Sequence, residues 1–396
     1  MDDIVILSAA RTPIGSFQGA LSGFPAHALG AKALAGAISR AALSPDQIEQ
    51  VYMGCVLTAG QGQAPARQAT LGAGCPQSTG AVTLNKVCGS GMRAVMTAAN
   101  DLRCGDFSIV AAGGMESMSQ APYLAMGARD GLRLGHGKLI DSMMHDGLWD
   151  PYGDMAMGNC GEICAREYGF TREEQDAYSL ASYERARAAT ESGAFAREIV
   201  PVEVPQRKGD PQVVSRDEEP FKVDLGKMPG LKPAFQKDGT ITAANSSKLN
   251  DGAAALVLTT ASHAAALGKT PIARIVAHAG FAQAPEWFTT APITAARRVL
   301  DRAGLAVEDI DLWEVNEAFA VVAMAFMKDL GISHERTNVR GGAVSIGHPI
   351  GCSGARILVT LLDALAERNL TRGCAAICLG GGEATALLVE RIAERS

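Results

Sequence analysis

The sequence predicts an α/β fold in which two similar, duplicated halves stack as five layers in the order αβαβα, with an inserted loop domain between them. Three observations predict it. Strand-like and helix-like segments alternate near both ends of the chain, two separated blocks recur at a nearly constant offset, and a proline-rich region of different composition lies between the halves. Alternation of strands and helices favours parallel or mixed sheets flanked by helices.

The strands and helices of the two halves can be placed in chain order. Residues 4–7 are a short β-branched run, which predicts a first strand. Residues 28–42 have helical spacing and little turn chemistry, which predicts a helix. Residues 108–112 and 375–379 are apolar runs of the kind expected for strands that are covered on both faces.

The chain contains a similar sequence pattern twice. Residues 40–49 resemble residues 302–311 at an offset of 262, and residues 90–95 resemble residues 353–358 at an offset of 263. The second pair precedes a helix-like stretch and a short apolar run that ends in glycine and glutamate. Chance similarity between alanine-rich helices is the alternative, but a nearly fixed offset across separated blocks favours duplication.

The region between the halves, residues 119–249, differs in composition. It carries charged stretches and eight prolines, Pro122, Pro151, Pro201, Pro205, Pro211, Pro220, Pro229 and Pro233. One helix is predicted over residues 172–192, because Thr171 and Glu174 form a capping-box pattern and Gly193 can end the helix. Such an insertion is either a substrate-binding loop domain or a solvated decoration.

These observations divide the chain into three parts. The N-terminal half is predicted over residues 1–118, with its core completed by about residues 250–265. The insertion covers residues 119–249, and the C-terminal half covers residues 266–396.

Composition excludes several classes of protein. The net charge of −6 argues against a general nucleic-acid surface, and no apolar run approaches the roughly 20 residues of a membrane helix. The acidic start is unlike a signal peptide. The nine cysteines show no paired CxxC spacing, so we expect no metal site, and free thiols indicate a reducing compartment, the cytoplasm.

Three reactive side chains lie in glycine-rich segments. Cys88 is followed by Gly89-Ser90-Gly91, His348 lies between Gly347 and Pro349, and Cys378 precedes Gly380-Gly381-Gly382. Glycine allows the backbone to approach a ligand closely. Two thiols and one imidazole can supply a nucleophile and two proton-transfer groups, which carbon–carbon chemistry on a thioester requires.

Several long motifs occur in one order along essentially the whole chain. They are residues 9–15 (Ala-Ala-Arg-Thr-Pro-Ile-Gly), 88–91 (Cys-Gly-Ser-Gly), 113–119 (Gly-Gly-Met-Glu-Ser-Met-Ser), 250–254 (Asn-Asp-Gly-Ala-Ala), 316–320 (Asn-Glu-Ala-Phe-Ala), 347–351 (Gly-His-Pro-Ile-Gly) and 378–382 (Cys-Leu-Gly-Gly-Gly). In these motifs the chain resembles the thiolase family, in its acetyl-CoA acetyltransferase branch. The resemblance implies an acyltransferase that condenses two acetyl-CoA molecules to acetoacetyl-CoA and CoA, and that also catalyses the reverse thiolysis.

The resemblance also implies the role of each reactive residue. Cys88 matches the nucleophile that carries the acetyl group, and we expect the helix start after it to favour the thiolate. His348 matches the base that takes the thiol proton and then donates to the thioester oxygen. Asn316 matches a residue that holds a water beside the imidazole, although a helix N-cap is its simpler role. Cys378 matches the acid/base at the α-carbon, and the backbone N–H groups of Gly380 and Cys88 match a second oxyanion hole.

The resemblance further implies which residues line the pantetheine and acyl channel: Met157, Phe235, Ala243, Ser247, Ala318 and Phe319. Three positions depart from the family's short-chain pattern. Ala156 stands where His is common, Lys227 stands where Ser often meets the adenosine end of CoA, and Phe288 stands where Met is common. Lys227 and its neighbours Lys222 and Lys232 are either phosphate contacts or a solvated basic face.

Other functional hypotheses within this family and its relatives remain open. A 3-ketoacyl-CoA thiolase of broader chain length would share the motifs, whereas a non-catalytic lipid-carrier relative should lack part of the reactive set. A ketoacyl-synthase relative should carry His at the position of Asn316. The resemblance implies CoA and acetyl-CoA as substrates, no tightly bound cofactor, no nucleic-acid or membrane partner, and a homotetramer built as a dimer of dimers.

Overall fold

The computed structural model describes residues 2–392, and the predicted strands and helices lie where the sequence places them. The helices are α1 (Ala26–Arg40), α2 (Pro65–Gly72), α3 (Ser90–Cys104), α4 (Met157–Tyr168), α5 (Arg172–Glu191), α6 (Ala261–Ala266), α7 (Ala291–Ala303), α8 (Ala320–Leu330) and α9 (Ile350–Glu367). The strands are β1 (Ile4–Arg11), β2 (Gly15–Ser16), β3 (Gln50–Gly54), β4 (Gly80–Leu84), β5 (Ile109–Ser117), β6 (Tyr123–Ala125), β7 (Leu139–Asp141), β8 (Trp149–Asp150), β9 (Met155–Ala156), β10 (Val202–Val204), β11 (Gln212–Val214), β12 (Asn250–Thr260), β13 (Ala273–Ala282), β14 (Leu312–Val315), β15 (Arg372–Leu379) and β16 (Glu383–Arg391).

The long strands form one mixed sheet with the order β14-β15-β16-β13-β1-β12-β5-β3-β4, and β2 extends it beside β12. Strand β3 runs parallel to β4 and β5, and β14 runs parallel to β15, while the other pairs are antiparallel. The two halves of the sheet join where β1 meets β13, through the pairs Val5–Arg274 and Ile6–Ala273. This junction is a feature that the sequence did not predict.

Three buried hydrophobic clusters lie between the helices and the sheet, and their arrangement confirms the five-layer prediction. Helices α1 and α2 cover one outer face of the sheet, around Leu34 and Met53. Helices α3 and α9 fill the central layer between the two halves of the sheet, in a cluster that contains Met92 and Leu358. Helices α7 and α8 cover the other outer face, around Phe326.

The internal repeat is visible in the elements themselves. A 3₁₀ turn at Pro45–Gln47 precedes β3, and its counterpart at Val307–Asp309 precedes β14, at the same offset of 262. Helices α3 and α9 are likewise counterparts, and they pack against each other in the central layer. The two halves of the sheet have mirrored strand orders around the β1–β13 junction.

Two glycines allow the central helices to touch backbone to backbone. A Cβ built on Gly91 would lie 2.8 Å from the backbone nitrogen of Ala355, and one built on Gly354 would lie 2.6 Å from that of Met92. Gly91 and Gly354 are counterparts in the repeat, and so are Met92 and Ala355. The crossing is therefore reciprocal, and it brings together the N-terminal turns of α3 and α9.

The region between the halves consists of α4, α5 and three two-stranded ribbons, β6–β7, β8–β9 and β10–β11. The predicted capping box of α5 is confirmed, because Thr171 Oγ1 accepts a hydrogen bond from the Glu174 N–H (3.1 Å) and Glu174 Oε2 accepts one from the Thr171 N–H (2.8 Å). Gly193, two residues after the helix, has φ 78°. Between residues 2 and 392, no helix is long and apolar enough to span a membrane.

Candidate active site

Cys88 lies in a tight turn between strand β4 and helix α3. Val87 has φ 46°, a left-handed conformation that a β-branched residue adopts only when its surroundings enforce it. Ser90 holds the turn: its hydroxyl accepts from the Lys86 N–H (2.8 Å) and donates to the Val87 carbonyl (2.6 Å). The sequence thus places the thiol one residue before the N-cap of α3, which is Gly89.

The environment of Cys88 opposes ionisation of the free thiol. Burial raises the pKa of Cys88 to about 12, and the nearby Glu116 carboxylate adds to the rise. The N–H groups of Gly380 and of Cys88 itself point to the sulfur and lower the pKa. The expected preference for thiolate at the helix start is therefore outweighed by burial, and the thiol is the resting form.

His348 is held by its backbone and by one ring nitrogen. Gly347 before it has φ 117°, a conformation that side chains rarely allow. The His348 N–H donates to Asn250 Oδ1 (2.8 Å). Nδ1 lies 2.6 Å from Ser353 Oγ, and that hydroxyl is also 3.0 Å from the Pro349 carbonyl. Because the Ser353 O–H can turn to either acceptor, it supports a proton on either ring nitrogen.

The outer nitrogen of the imidazole faces Asn316. The Asn316 amide nitrogen lies 3.5 Å from His348 Nε2. Burial lowers the pKa of His348 to about 3, and the positive charge of Arg356 lowers it further. The resting imidazole is therefore neutral, with Nε2 open to the same space as the Asn316 side chain.

Asn316 directly follows β14, and its N–H donates to the Ala376 carbonyl of β15 (3.0 Å). Its side chain is fully buried, and among residues 2–392 no protein group hydrogen-bonds to its Oδ1. Buried amide oxygens normally have a partner. The predicted water-holding role would supply one, and the predicted N-cap role is not used, because α8 begins only at Ala320 with Phe319 as its N-cap.

Cys378 lies at the end of β15 and is completely buried. Burial raises the pKa of its thiol, and proximity to Cys88 raises it further, whereas the Ala318 N–H, which faces the sulfur, lowers it. The chain thus brings the Cys88 thiol close to the Gly380 N–H and to Cys378, and the Asn316 amide close to His348. Ala318, whose N–H faces Cys378, is two residues after Asn316, which links the two groups along the chain.

The predicted channel residues surround the end of β15. A Cβ built on Gly380 would lie 3.8 Å from Met157 Cε. The rings of Phe235 and Phe319 meet edge to face with centroids 5.9 Å apart. The Ser247 N–H donates to the Ala318 carbonyl (3.0 Å). Ala243 is exposed and begins the loop that contains Ser247.

The three departures from the family pattern lie at different depths. Phe288 is buried and packs against Phe319, with ring centroids 6.4 Å apart. Ala156 is the N-cap residue of α4, next to Met157. Lys227 is exposed and pairs with Asp224 (3.2 Å), as Lys222 pairs with Glu218 (3.3 Å). Lys232 is also exposed.

Sequence reasoning missed four residues that organise the site: Glu116, Lys248, Asn250 and Ser353. Glu116 accepts hydrogen bonds from the N–H groups of Val56 (3.0 Å), Leu57 (3.2 Å) and Gly351 (3.0 Å). Their only local signal is proximity to the quoted motifs: Glu116 and Asn250 lie within one, and Lys248 and Ser353 lie two positions away from one. Within residues 2–392, no group of three or more His, Cys, Asp or Glu is arranged to hold a metal ion.

Family comparisons agree with this geometry. The sequence model of the thiolase N-terminal domain matches residues 4–262, and that of the thiolase C-terminal domain matches residues 269–391. An acetyl-CoA acetyltransferase from Pseudomonas aeruginosa is 50% identical over 392 residues, which cover 99% of this chain and 100% of that protein. The mitochondrial acetyl-CoA acetyltransferase B of Xenopus laevis is 53% identical over 394 residues, 99% of this chain and 93% of that protein.

Solved structures give the same result. The Acat5 thiolase of Ascaris suum, in complex with coenzyme A, has a TM-score of 0.94 and 44% identity, over 98% of this chain and 100% of that one. The acetyl-CoA acetyltransferase of Bacillus anthracis has a TM-score of 0.96 and 40% identity, over 99% of both chains. The resemblance found in the motifs is confirmed, and the chain belongs to the thiolase family.

Proposed function

We propose that this protein is an acetyl-CoA C-acetyltransferase, which condenses two acetyl-CoA molecules to acetoacetyl-CoA and CoA and also catalyses the reverse thiolysis. The observation that supports the proposal is the pairing of reactive groups from distant parts of the chain: Cys378 lies close to Cys88, and the Asn316 amide nitrogen lies 3.5 Å from His348 Nε2. Full-length relatives at about half identity, named acetyl-CoA acetyltransferases, support it.

In the first stage, the acetyl group moves to the enzyme. The Cys88 thiol passes its proton to His348 Nε2 and attacks the carbonyl carbon of acetyl-CoA. The N–H groups of Cys88 and Gly380, which already point to the sulfur, stabilise the oxyanion. The C–S bond to CoA then breaks, and the departing CoA sulfur takes the proton from His348. The products are acetyl-Cys88 and free CoA.

In the second stage, the carbon–carbon bond forms. Cys378 passes its thiol proton to His348 and, as a thiolate, removes a proton from the α-carbon of a second acetyl-CoA, whose oxygen is held beside His348 and Asn316. The carbanion attacks the acetyl carbonyl, and the C–S bond to Cys88 breaks. The departing Cys88 sulfur takes the proton from His348, and Cys378 keeps the α-proton, so that all three groups are neutral again. Because burial raises the pKa of Cys378, its thiolate is a strong base, as a carbon acid requires.

The same geometry suggests a short acyl channel. Met157, Phe235 and Phe319 surround the strand end that carries Cys378, and Phe288 backs Phe319. We infer that these residues, with Ala243, Ser247 and Ala318, contact the pantetheine and acyl parts of CoA thioesters, which bind as substrates and not as tightly held cofactors.

The test is kcat/KM in the thiolysis direction as a function of acyl length. The kcat/KM for acetoacetyl-CoA is expected to be about tenfold or more higher than that for 3-ketohexanoyl-CoA and longer substrates. This is the discrimination against added methylene groups that a closely fitting apolar pocket gives. A profile that stays level with chain length would instead identify a broad 3-ketoacyl-CoA thiolase of fatty-acid degradation.

We propose the predicted three-part organisation as well. Strand β12 starts at Asn250 and pairs between β1 and β5, which supports an N-terminal half of residues 1–118 that is completed after the insertion of residues 119–249. The C-terminal half would then be residues 266–396.

A homotetramer and a cytoplasmic location complete the proposal. The β6–β7 ribbon and the loop that joins it expose large apolar side chains, with Tyr123 64%, Leu134 101% and Leu139 71% accessible. Apolar patches of this kind support association with further copies of the chain. All nine cysteines are free, which supports a reducing compartment.

A further inference from the structure

Lys248 has an unusual place for a lysine, because it lies largely below the surface beside the site. Its Nζ donates to the carbonyls of Ala243 (2.5 Å) and Ser246 (2.8 Å). The ammonium also lies 5.7 Å from the centroid of the Tyr183 ring of α5. The side chain thus folds back on the loop of residues 243–247 that precedes it, and its ammonium connects the first residue of that loop, Ala243, with Ser246 near the other end.

The backbone of the same residue touches the catalytic cluster. The Lys248 carbonyl accepts a hydrogen bond from the His348 N–H (3.2 Å). One residue earlier, the Ser247 N–H donates to the Ala318 carbonyl (3.0 Å). The loop that Lys248 fastens is therefore fixed at one end to the imidazole turn and to the segment that faces Cys378.

The charge of Lys248 is costly to the fold. Burial lowers the pKa of Lys248 to about 8, against an opposing effect of the carboxylates of Glu219 and Glu317. A base whose pKa falls on folding binds fewer protons in the folded state between about pH 8 and its usual value near 10.5, so stability rises with pH in that window. Below pH 8 the charge of this partly buried ammonium therefore lowers stability.

We propose that the Lys248 ammonium holds the loop of residues 243–247 in the shape that binds a CoA thioester, which makes Lys248 a positioning residue whose protonation sets substrate affinity. The inference rests on the proposed function, in which Ala243 and Ser247 of this loop contact CoA. Neutral lysine donates weaker hydrogen bonds to the two carbonyls, so the loop loosens when the proton leaves. The groups that face the ammonium are Glu219, Glu317 and Tyr183, and of these the two carboxylates carry the opposing charge.

The experiment measures acetyl-CoA binding without turnover, by calorimetry on the Cys88→Ala protein at pH 7 and pH 9. Lys248→Met in that background is expected to weaken binding by about tenfold at pH 7, the effect of one charge-assisted hydrogen bond. With Lys248 present, binding should weaken from pH 7 to pH 9, and with Lys248→Met this weakening should be lost. Lys248→Arg should keep most of the affinity at both pH values.

Lys269→Met is the matched control. Lys269 also donates through Nζ to a backbone carbonyl, that of Ala42 (2.5 Å), and it is likewise only partly exposed, but it lies in the segment after α6. Lys269→Met should leave the affinity for acetyl-CoA unchanged at both pH 7 and pH 9. Lys248→Met should leave the melting temperature unchanged or raise it.

Equal affinities for Lys248 and Lys248→Met proteins, or the same pH dependence in both, would overturn the inference and leave Lys248 a structural residue. If the Cys88→Ala protein with Lys248 intact binds no acetyl-CoA at either pH, the proposed function fails first and takes this inference with it. The two failures are distinguished because the second is seen before Lys248 is altered.

Discussion

At the scale of single residues, the site is built to rest uncharged. Burial raises the pKa of both thiols and lowers that of His348. Cys88 and His348 therefore meet the substrate as a neutral thiol and a neutral imidazole. Charge separates only when a thioester carbonyl is present to receive the sulfur, and the N–H groups of Cys88 and Gly380 are in place for that moment.

The roles of the two thiols can be separated by substitution. Cys378→Ala should still be acetylated on Cys88 when mixed with acetyl-CoA, because acyl transfer needs only Cys88, His348 and the N–H donors. It should form no acetoacetyl-CoA, because the α-proton has no acceptor. Mass spectrometry of the intact protein checks the adduct, with Cys88→Ala as the unmodified control, and a Cys378→Ala protein without the acetyl mass would contradict the division of roles.

Glu116 provides a second test at this scale. Burial raises the pKa of Glu116 to about 7, and above that pH its charge raises the pKa of Cys88. Glu116→Gln removes the charge, so the thiol of Cys88 should ionise at lower pH. The rate of iodoacetamide alkylation of Cys88 against pH measures this.

The midpoint of that alkylation profile should move to lower pH in Glu116→Gln and stay in place in the control Glu390→Gln, whose carboxylate pairs with Arg274 and Arg372 at the edge of β16. The Glu116 variant should also lose stability, by about 1–3 kcal/mol, because buried N–H donors lose a charged acceptor. An unmoved midpoint would show that Glu116 does not act on the nucleophile.

Sequence reasoning found the reactive residues but not the residues that hold them. Cys88, His348 and Cys378 stand out because each carries reactive chemistry inside a glycine-rich motif. Glu116 acts through partners that only the fold brings near, because it accepts a hydrogen bond from the Gly351 N–H, which is 235 positions away in sequence. Lys248 binds carbonyls only two and five positions away, but a loop of this kind has no periodic pattern that shows where its side chains fold.

At the scale of secondary-structure elements, the crossing of α3 and α9 positions the helix ends that carry Cys88, the proposed nucleophile, and His348, the proposed base. Cys88 precedes α3 and His348 precedes α9, so each reactive residue lies at the N-terminal end of one of the two central helices. The glycines at the crossing let those ends approach to backbone contact. A larger residue there would push the two reactive groups apart.

Gly354→Ala tests this. A Cβ at Gly354 would lie 2.6 Å from the Met92 backbone nitrogen, so one helix must shift. Overpacking of this kind is expected to cost about 1–3 kcal/mol of unfolding free energy, seen as a lower melting temperature, and to reduce kcat. Gly23→Ala, where a Cβ would meet nothing within 4 Å, is the control. If the Gly354→Ala protein kept the wild-type melting temperature and kcat, close contact between α3 and α9 would not be needed for stability or activity.

Elements with strong local signals were predicted well, and contacts between elements were not. The capping box and Gly193 predicted α5 almost to the residue, because they act within one turn of the helix. The β1–β13 junction consists of only two residue pairs and has no distinctive composition, so nothing in the sequence predicted it. The strand order around it follows from the fold of the whole chain.

At the scale of the whole molecule, the exposed apolar ribbon predicts the assembly. Leu134→Glu places a charge at the most exposed apolar side chain of the β6–β7 region and should disfavour burial between copies. Light scattering after size exclusion should then show a smaller assembly than the expected tetramer. Val213→Glu, on the exposed ribbon β10–β11, is the control. An unchanged mass for Leu134→Glu would place the interface elsewhere.

The reciprocal crossing of α3 and α9 has a consequence for how such a molecule can arise. Because Gly91 meets Ala355 and Gly354 meets Met92, each half meets the other through the same two positions of the repeat. Two separate polypeptides, each one half long, would dock through this patch with twofold symmetry. After fusion of two such genes, the protein would need no new contact between α3 and α9. The residues that precede these helices could then diverge into the Cys88 thiol and the His348 imidazole.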